Sequence, residues 1–261
     1  MAYALITGGS KGIGKAMAEN LAEKGYNLIL VARNNEELLE VKKEFENKFM
    51  IKIDVLSIDL ANYDASKQLY DWCISENFDI EIVINNAGYA VWGFFEKLTL
   101  NAQLEMMKLN MATLTSICHL FIPMLKTKKQ AYILNIGSTA AYQSVPSLAV
   151  YAASKSFVVS FSRSLAFELS KTNISVSCYC PGPTKSNFTA RAGMEAMQKV
   201  ADKFNMDTKK VADLGIEAMF SKKIEFIPSF INQISAFATK FLPKKLVESI
   251  AANLYFKNLP K

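Results

Sequence analysis

The chain has 261 residues, 51% of them hydrophobic, with 30 Lys and Arg against 24 Asp and Glu and a formal charge of +6. That length suits one α/β domain with a sizeable core, and 7 Pro, 11 Gly and no biased tract or internal repeat argue against a linker, a solenoid or a disordered chain. Four cysteines without CxxC spacing and a single histidine, His119, inside an apolar run argue against a metal centre; lysines scattered without interleaved aromatics argue against nucleic acid.

In chain order, runs rich in Val, Ile and Leu at 2–7, 27–32, 52–58, 80–85, 131–136 and 174–179 read as buried strands. Segments of helical apolar spacing separate them at 13–24, 36–49, 65–76, 99–126 and 150–170. This alternation predicts a doubly wound, Rossmann-type α/β fold, a parallel sheet with right-handed crossovers and helices on both faces. Ligands of such sheets bind beyond the carboxyl ends of the strands, and Gly8, Asn86, Ser138 and Pro181 each closely follow a predicted strand.

After Pro181 the pattern turns helical, at 187–204, 208–220, 230–241 and 244–255, with one short strand at 223–227. The expectation is a single domain, 1–261, in which 186–228 form a substrate lid and 229–261 a C-terminal helical segment. The longest late apolar stretch, 226–242, is broken by Pro228, Asn232, Gln233 and Lys240, so no transmembrane helix is expected. A first strand directly after Met1 leaves no room for a signal peptide, and Cys178 and Cys180 on one strand face read as a thiol pair. A reducing, cytoplasmic location is therefore expected. Residues 199–261 hold 11 lysines against 6 acidic residues, which reads either as a solvated face or as attraction to anionic substrate groups or lipid headgroups.

Two local motifs carry chemistry. In Thr7-Gly8-Gly9-Ser10-Lys11-Gly12-Ile13-Gly14, between a strand and a helix, glycines let the backbone approach a pyrophosphate, and helix amides and dipole face the anion. A plain turn would show the same letters. Tyr151-Ala-Ala-Ser-Lys155, with Ser138 thirteen residues upstream, lies in a stretch of helical spacing that puts Tyr151 and Lys155 on one face. An ammonium beside a phenol stabilises the phenolate and lowers its pKa, the requirement for a proton donor in carbonyl reduction. An amphipathic face with a snorkelling lysine has the same spacing.

Thr7-Gly-x-x-x-Gly-Ile-Gly14, Asn85-Asn-Ala-Gly88, Asn110, Ser138, Tyr151-x-x-x-Lys155 and Pro181-Gly182 occur in the order seen in short-chain dehydrogenases/reductases, and the chain resembles that family over about residues 2–190. The resemblance implies binding of NAD(H) or NADP(H) and reversible hydride transfer between nicotinamide C4 and a carbonyl or alcohol carbon. It implies that Tyr151 protonates the nascent alkoxide, Lys155 lowers the phenol pKa and bonds the nicotinamide ribose, Ser138 holds the carbonyl oxygen, and Asn110 anchors a proton-relaying water. For the cofactor it implies contacts from Gly8, Ser10, Lys11, Gly12, Ile13 and Gly14, from Asn86, Ala87 and Gly88 along the adenosine ribose, and from Asp59 near the adenine amine. Pro181, Gly182 and Thr184 would lie by the carboxamide, and Asn85 would stabilise the sheet.

NAD sites usually carry Asp or Glu at the end of the second strand. Here Ala32 takes that slot, Arg33 follows it and Lys11 adds a second cation, so a 2′-phosphate and hence NADP(H) are expected; otherwise both cations simply face water. The expected partner is a small-molecule carbonyl or alcohol. Tyr89, Val91, Trp92, Phe94 and Phe95, with Phe188, Met194, Met197, Phe204 and Met206, read equally as a lipophilic pocket or as core and subunit contacts. Pro181-Gly-Pro-Thr184, Arg191-Ala-Gly193 and Phe241-Leu-Pro243-Lys-Lys-Leu246 are similar to a bacterial branch allied to very-long-chain 3-oxoacyl and steroid reductases. Many family members end with a seventh strand and a Val-Asp-Gly-Gly turn, which this chain lacks beyond 223–227, so the usual tetramer is not expected. The helices at 99–126 and 150–170 suit the family's homodimer. Two further readings stay open: an NADPH-sensing regulator without turnover, and a membrane-surface lipid (3-oxoacyl) reductase using 230–255 as an interfacial segment.

Overall fold

The computed structural model of the chain describes residues 1–185, 192–194, 205–239, 241–256 and 259. Its strands are β1 (Tyr3–Thr7), β2 (Asn27–Ala32), β3 (Ile53–Ser57), β4 (Ile80–Asn85), β5 (Ala131–Ile136), β6 (Ile174–Tyr179) and β7 (Glu225–Phe226). Its helices are α1 (Gly12–Glu23), α2 (Asn35–Lys48), α3 (Ala65–Ser75), α4 (Leu100–Met107), α5 (Leu114–Leu125), α6 (Ala149–Glu168), α7 (Thr208–Phe220), α8 (Phe230–Ala238) and α9 (Lys244–Phe256). The strands form one parallel sheet in the order β3-β2-β1-β4-β5-β6-β7, confirming the doubly wound reading. Strand order reverses between β1 and β4, which opens the ligand crevice at their carboxyl ends.

The pleat sends successive residues to opposite faces. Leu5, Ile29, Val83 and Ile133 enter one core with α3, α5 and α6, while Ala4, Ile6, Leu30 and Ile84 enter the other with α1, α2 and α7. With both faces covered, Leu28 to Val31 are all fully buried, so the strand reads as an unbroken apolar run. Helix α2 shows how local signals set an end: the Asn34 side chain accepts the Glu37 amide, while Glu36 and Glu37 at its start and Lys48 at its end complement the dipole.

Two expectations are corrected. The helix expected over 99–126 is not regular: a π turn, Lys108–Thr113, separates α4 from α5 and carries Asn110 inward. Within the lid expected at 186–228, α7 is instead a core helix. Val211, Ala212, Ile216 and Met219 are completely buried, in one cluster with Met17 and Leu21 of α1. The Tyr179 hydroxyl donates to the Val211 carbonyl at 2.7 Å, and Asn20 Nδ2 donates to Asp213 Oδ1 at 2.6 Å. The physical reason is that the α1 side of β5 and β6 needs an apolar cover, which this segment provides. Residues 225–226, also inside that span, extend the sheet as β7, pairing with Cys178 and Tyr179. The helix expected at 187–204 lies, apart from residues 192–194, outside the described residues. Among the described residues no helix is long and apolar enough to cross a membrane.

Candidate active site

At the end of β1, the Thr7 hydroxyl accepts the amides of Asn86 and Ala87, both at 3.0 Å, and donates to the Ile84 carbonyl at 3.2 Å. Asn86 Nδ2 donates to the carbonyls of Thr7 and Gly8 at 2.9 and 3.1 Å. The glycine loop is thereby stitched to the end of β4. Gly8 has φ +68°, and a Cβ there would fall 2.7 Å from Asn86 Nδ2; one on Gly14 would fall 2.2 Å from the Gly8 carbonyl oxygen. Only glycine fits at these two positions. Helix α1 starts at Gly12 without a side-chain cap and without an acidic residue in its first turn. Its first amides and positive dipole end therefore suit an anion such as a pyrophosphate. Ile13, beside them, packs into the core and holds the turn in place.

The far end of the crevice is built from exposed charges. Lys11 Nζ lies 2.6 Å from Glu37 Oε1, and Arg33 Nη1 lies 3.8 Å from Asp59 Oδ2. Glu37 also accepts from Ser10 Oγ at 3.2 Å and from Asn34 Nδ2 at 3.1 Å. Asp59 Oδ1 accepts the Ala61 amide at 3.0 Å, so this carboxylate is divided between its own turn and Arg33. Sequence reasoning does not find Glu37; its only signal is the Asn34-x-x-Glu37 spacing of a helix start.

Of the reactive groups, Tyr151 and Lys155 are buried and Ser138 is half-buried. Ser138 caps the short turn Thr139–Tyr142, its Oγ accepting the Ala140 amide at 3.1 Å. Tyr151 is 7% exposed in an apolar cluster with Trp92, Met106, Leu148 and Met194. Burial pushes its phenol up to about 12, opposed by a hydrogen bond from the Ser138 side chain. Lys155 Nζ donates to the Ile136 carbonyl at 2.8 Å and lies 5.9 Å from the Tyr151 ring centre. Burial pushes this ammonium down to about 8. Burial thus opposes the lowering expected from Lys155, because loss of solvation disfavours the charged form of each group. At neutral pH the phenol keeps its proton and Lys155 is mostly charged.

Asn110 is 1% exposed in the π turn. Its Oδ1 accepts the Tyr89 amide at 3.2 Å, and its Nδ2 donates to the Tyr89 carbonyl at 3.0 Å and to Ser154 Oγ at 3.1 Å. Ser154 Oγ donates in turn to the Tyr151 carbonyl at 2.7 Å. This chain ties the loop after β4 to the helix that carries Tyr151 and Lys155. A Cβ on Gly88 would lie 2.9 Å from Asn110 Oδ1 and 3.6 Å from Lys155 Nζ, which places its backbone against both. Ser154 also escapes sequence reasoning, although its place three residues after Tyr151 puts it one helical turn away.

The loop after β6 is tied to the turn that follows β5. The Thr139 amide donates to the Pro181 carbonyl at 3.0 Å, and Thr184 Oγ1 donates to the Gly182 carbonyl at 3.0 Å. Asn85 Nδ2 donates to Asn135 Oδ1 at 2.9 Å, joining β4 to β5 as expected. Cys178 and Cys180 are free thiols with Sγ atoms 3.7 Å apart. Of the expected substrate-side residues, Trp92 and Met194 are buried beside Tyr151, Trp92 Nε1 donating to Ser147 Oγ at 2.9 Å, whereas Phe94 and Phe95 are exposed. Phe188, Met197 and Phe204 lie outside the described residues. Tyr255 of α9 packs against the Tyr151 cluster, a contact 104 residues away in sequence that no spacing announces.

A sequence profile described as short chain dehydrogenase matches residues 2–196. The very-long-chain 3-oxoacyl-CoA reductase of Kluyveromyces lactis is 34% identical over 184 residues, 67% of this chain and 53% of that protein. The inactive hydroxysteroid dehydrogenase-like protein 1 of Homo sapiens is 30% identical over 193 residues, 72% of this chain and 57% of that protein. The matches thus span little more than half the length of these relatives. Among solved structures, a short-chain dehydrogenase from Sphingobium yanoikuyae in complex with NADPH has a TM-score of 0.83 at 27% identity, covering 95% of both chains.

Proposed function

The chain belongs to the short-chain dehydrogenase family, and from that premise we propose that it is an NADP(H)-dependent carbonyl reductase for a lipophilic small molecule. The observation that carries the reading is the buried Tyr151 phenol, which holds its proton at neutral pH between a Ser138 hydrogen bond and the Lys155 cation. The uncapped start of α1 and the glycine loop with no room for side chains fit a dinucleotide pyrophosphate. A reduced nicotinamide bound there would supply the hydride. Ser138 and Tyr151 would hydrogen-bond the substrate oxygen, Tyr151 giving its proton to the oxygen as charge develops on it. Lys155 stabilises the resulting phenolate, and its bond to the Ile136 carbonyl fixes the ammonium in place. Asn110, through Tyr89 and Ser154, positions the helix turn bearing Tyr151.

For the cofactor, Ala32 leaves no carboxylate at the end of β2, and Arg33 and Lys11 supply cations whose exposed ion pairs contribute only about 0–1 kcal/mol each. A 2′-phosphate can take these partners over at small cost. Asp59, Asn86, Ala87, Gly88, Pro181, Gly182 and Thr184 all lie on loops leaving the carboxyl ends of β3, β4 and β6, as dinucleotide contacts require. Apolar Trp92 and Met194 beside Tyr151 suit a lipophilic carbonyl compound. Four buried free cysteines suit a reducing, cytoplasmic setting, and exposed Leu100, Leu104 and Phe167 on α4 and α6 suit a homodimer. A relative whose name records inactivity keeps a second reading in play, an NADPH-sensing regulator. NADPH oxidation measured against ketones, aldehydes and 3-oxoacyl thioesters tests both: turnover with any of them supports the reductase, and tight NADPH binding without turnover supports the sensor.

A further inference from the structure

Two helices at the rim of the site carry strongly exposed apolar faces. On and just after α8, Phe230, Ile231, Phe237 and Phe241 are 74%, 72%, 61% and 72% exposed; on α9, Leu246 and Ile250, one turn apart, are 48% and 59% exposed. The other face of α9, with Val247 and Ala251, is buried in the protein. With Ala236 buried on α8, each helix has an inner anchor and an outer apolar side, the pattern of a helix lying at an interface. Both are tied to the site. Thr239 Oγ1, after α8, donates to the Tyr142 carbonyl at 2.9 Å, and Asn232 lies against Gly182. At the end of α9, the Phe256 ring lies 5.0 Å from that of Phe94 and Tyr255 packs against the Tyr151 cluster. Lys244 and Lys245 open α9 and are exposed, and residues 230–261 contain five lysines against one acidic residue.

We propose that this face docks the protein on an anionic lipid surface, with the rim of the site turned toward the bilayer. Charge selects this occupant over a second copy of the chain. A two-fold contact brings the same patch of both copies together, which would set the exposed Lys244 and Lys245 of each copy against those of the other around the phenylalanines. Anionic headgroups meet the same lysines with opposite charge while the aromatic and aliphatic side chains enter the boundary beneath them. A lipophilic substrate dissolved in the bilayer would then reach Tyr151 past Phe94 and Phe256. The docking itself stands on the exposed faces and their charge, independently of the reductase reading.

The test is sedimentation of the whole chain with vesicles of phosphatidylcholine alone and of phosphatidylcholine mixed with phosphatidylglycerol, at low and physiological salt. Binding is expected to the mixed vesicles, weakened by salt. Lys244→Glu with Lys245→Glu should lower it by about tenfold or more, since each surface lysine contributes near a factor of five, and Phe230→Ser with Phe237→Ser should lower it comparably. Circular dichroism and NADPH binding serve as the fold control, so the result does not depend on turnover. Absence of binding to the anionic vesicles at low salt overturns the proposal. So does binding that neither double variant changes, or a dimer in light scattering that the phenylalanine variant dissociates while vesicle binding persists.

Discussion

At one end of the crevice Tyr151, Lys155, Asn110 and Ser154 are buried, Asn110 and Ser154 linked to the Tyr151 backbone and Lys155 bound to the Ile136 carbonyl; at the other, the Arg33 and Lys11 side chains are 58% and 55% exposed and hold their carboxylates from solvent. Burial shifts the acid and the cation at the first end to about 12 and about 8. Water screens the second end, where partners exchange at little cost. The contrast teaches that the reactive end is preorganised before any ligand arrives, whereas the charged end is suited to choosing among ligands.

That contrast can be broken experimentally at either end. Tyr151→Phe should reduce kcat by about 10²–10⁴-fold while leaving NADPH affinity, read from nicotinamide fluorescence, nearly unchanged; substantial retained turnover would remove Tyr151 from the proton-donor role. Next in size, Gly14→Ala forces a methyl onto the Gly8 carbonyl and should destabilise the fold by about 1–3 kcal/mol, seen as a lower Tm, together with weaker NADPH binding. An unchanged Tm would show that the glycine loop is not close-packed.

Raising pH through about 8 should discharge Lys155, and turnover should fall by up to tenfold per pH unit above that point. The sign for stability is opposite. The folded-state pKa lies below the ordinary lysine value of 10.5, so burial of the charged form penalises the fold below about 8, and the penalty is relieved as pH rises from there toward 10.5. A kcat profile and a Tm profile measured together separate the two effects, and a kcat plateau extending to pH 10 would contradict the role given to Lys155.

Smaller effects belong to the exposed end. Arg33→Ala should raise KM for NADPH by about tenfold, much more than for NADH, with a strong dependence on salt; equal effects on both cofactors would refute phosphate recognition. Smallest of all, Glu37→Gln releases Lys11 and should lower KM for NADPH by a factor of about two to five. A rise in KM would mean that Glu37 instead holds Lys11 in the binding position.

Much of the fold is legible because its signals are local. Each of the first six strands falls within a residue of the span its apolar run predicts, since a strand buried on both faces has no polar interruption to obscure it. Gly8 and Gly14 are legible because backbone approach excludes every other residue. Less of the site is legible. Glu37 and Ser154 take part through contacts 27 and 44 residues apart in sequence, to Ser10 and Asn110, and an isolated acid or serine on a helix carries no mark of such a partner.

By itself the sequence determined the alternation of strands and helices, the glycine turn and the pairing of Tyr151 with Lys155, because each depends on neighbours within a few residues. Tertiary structure alone decided that 208–220 belongs to the core and not to the lid, that Asn110 sits in a π turn, and that α8 and α9 stand at the rim with apolar side chains outward. It also decided the direction of the pKa shifts. The physical reason is common to all four: desolvation and packing depend on what surrounds a group in three dimensions, and the apolar spacing of a helix states that one face will be covered without stating by what.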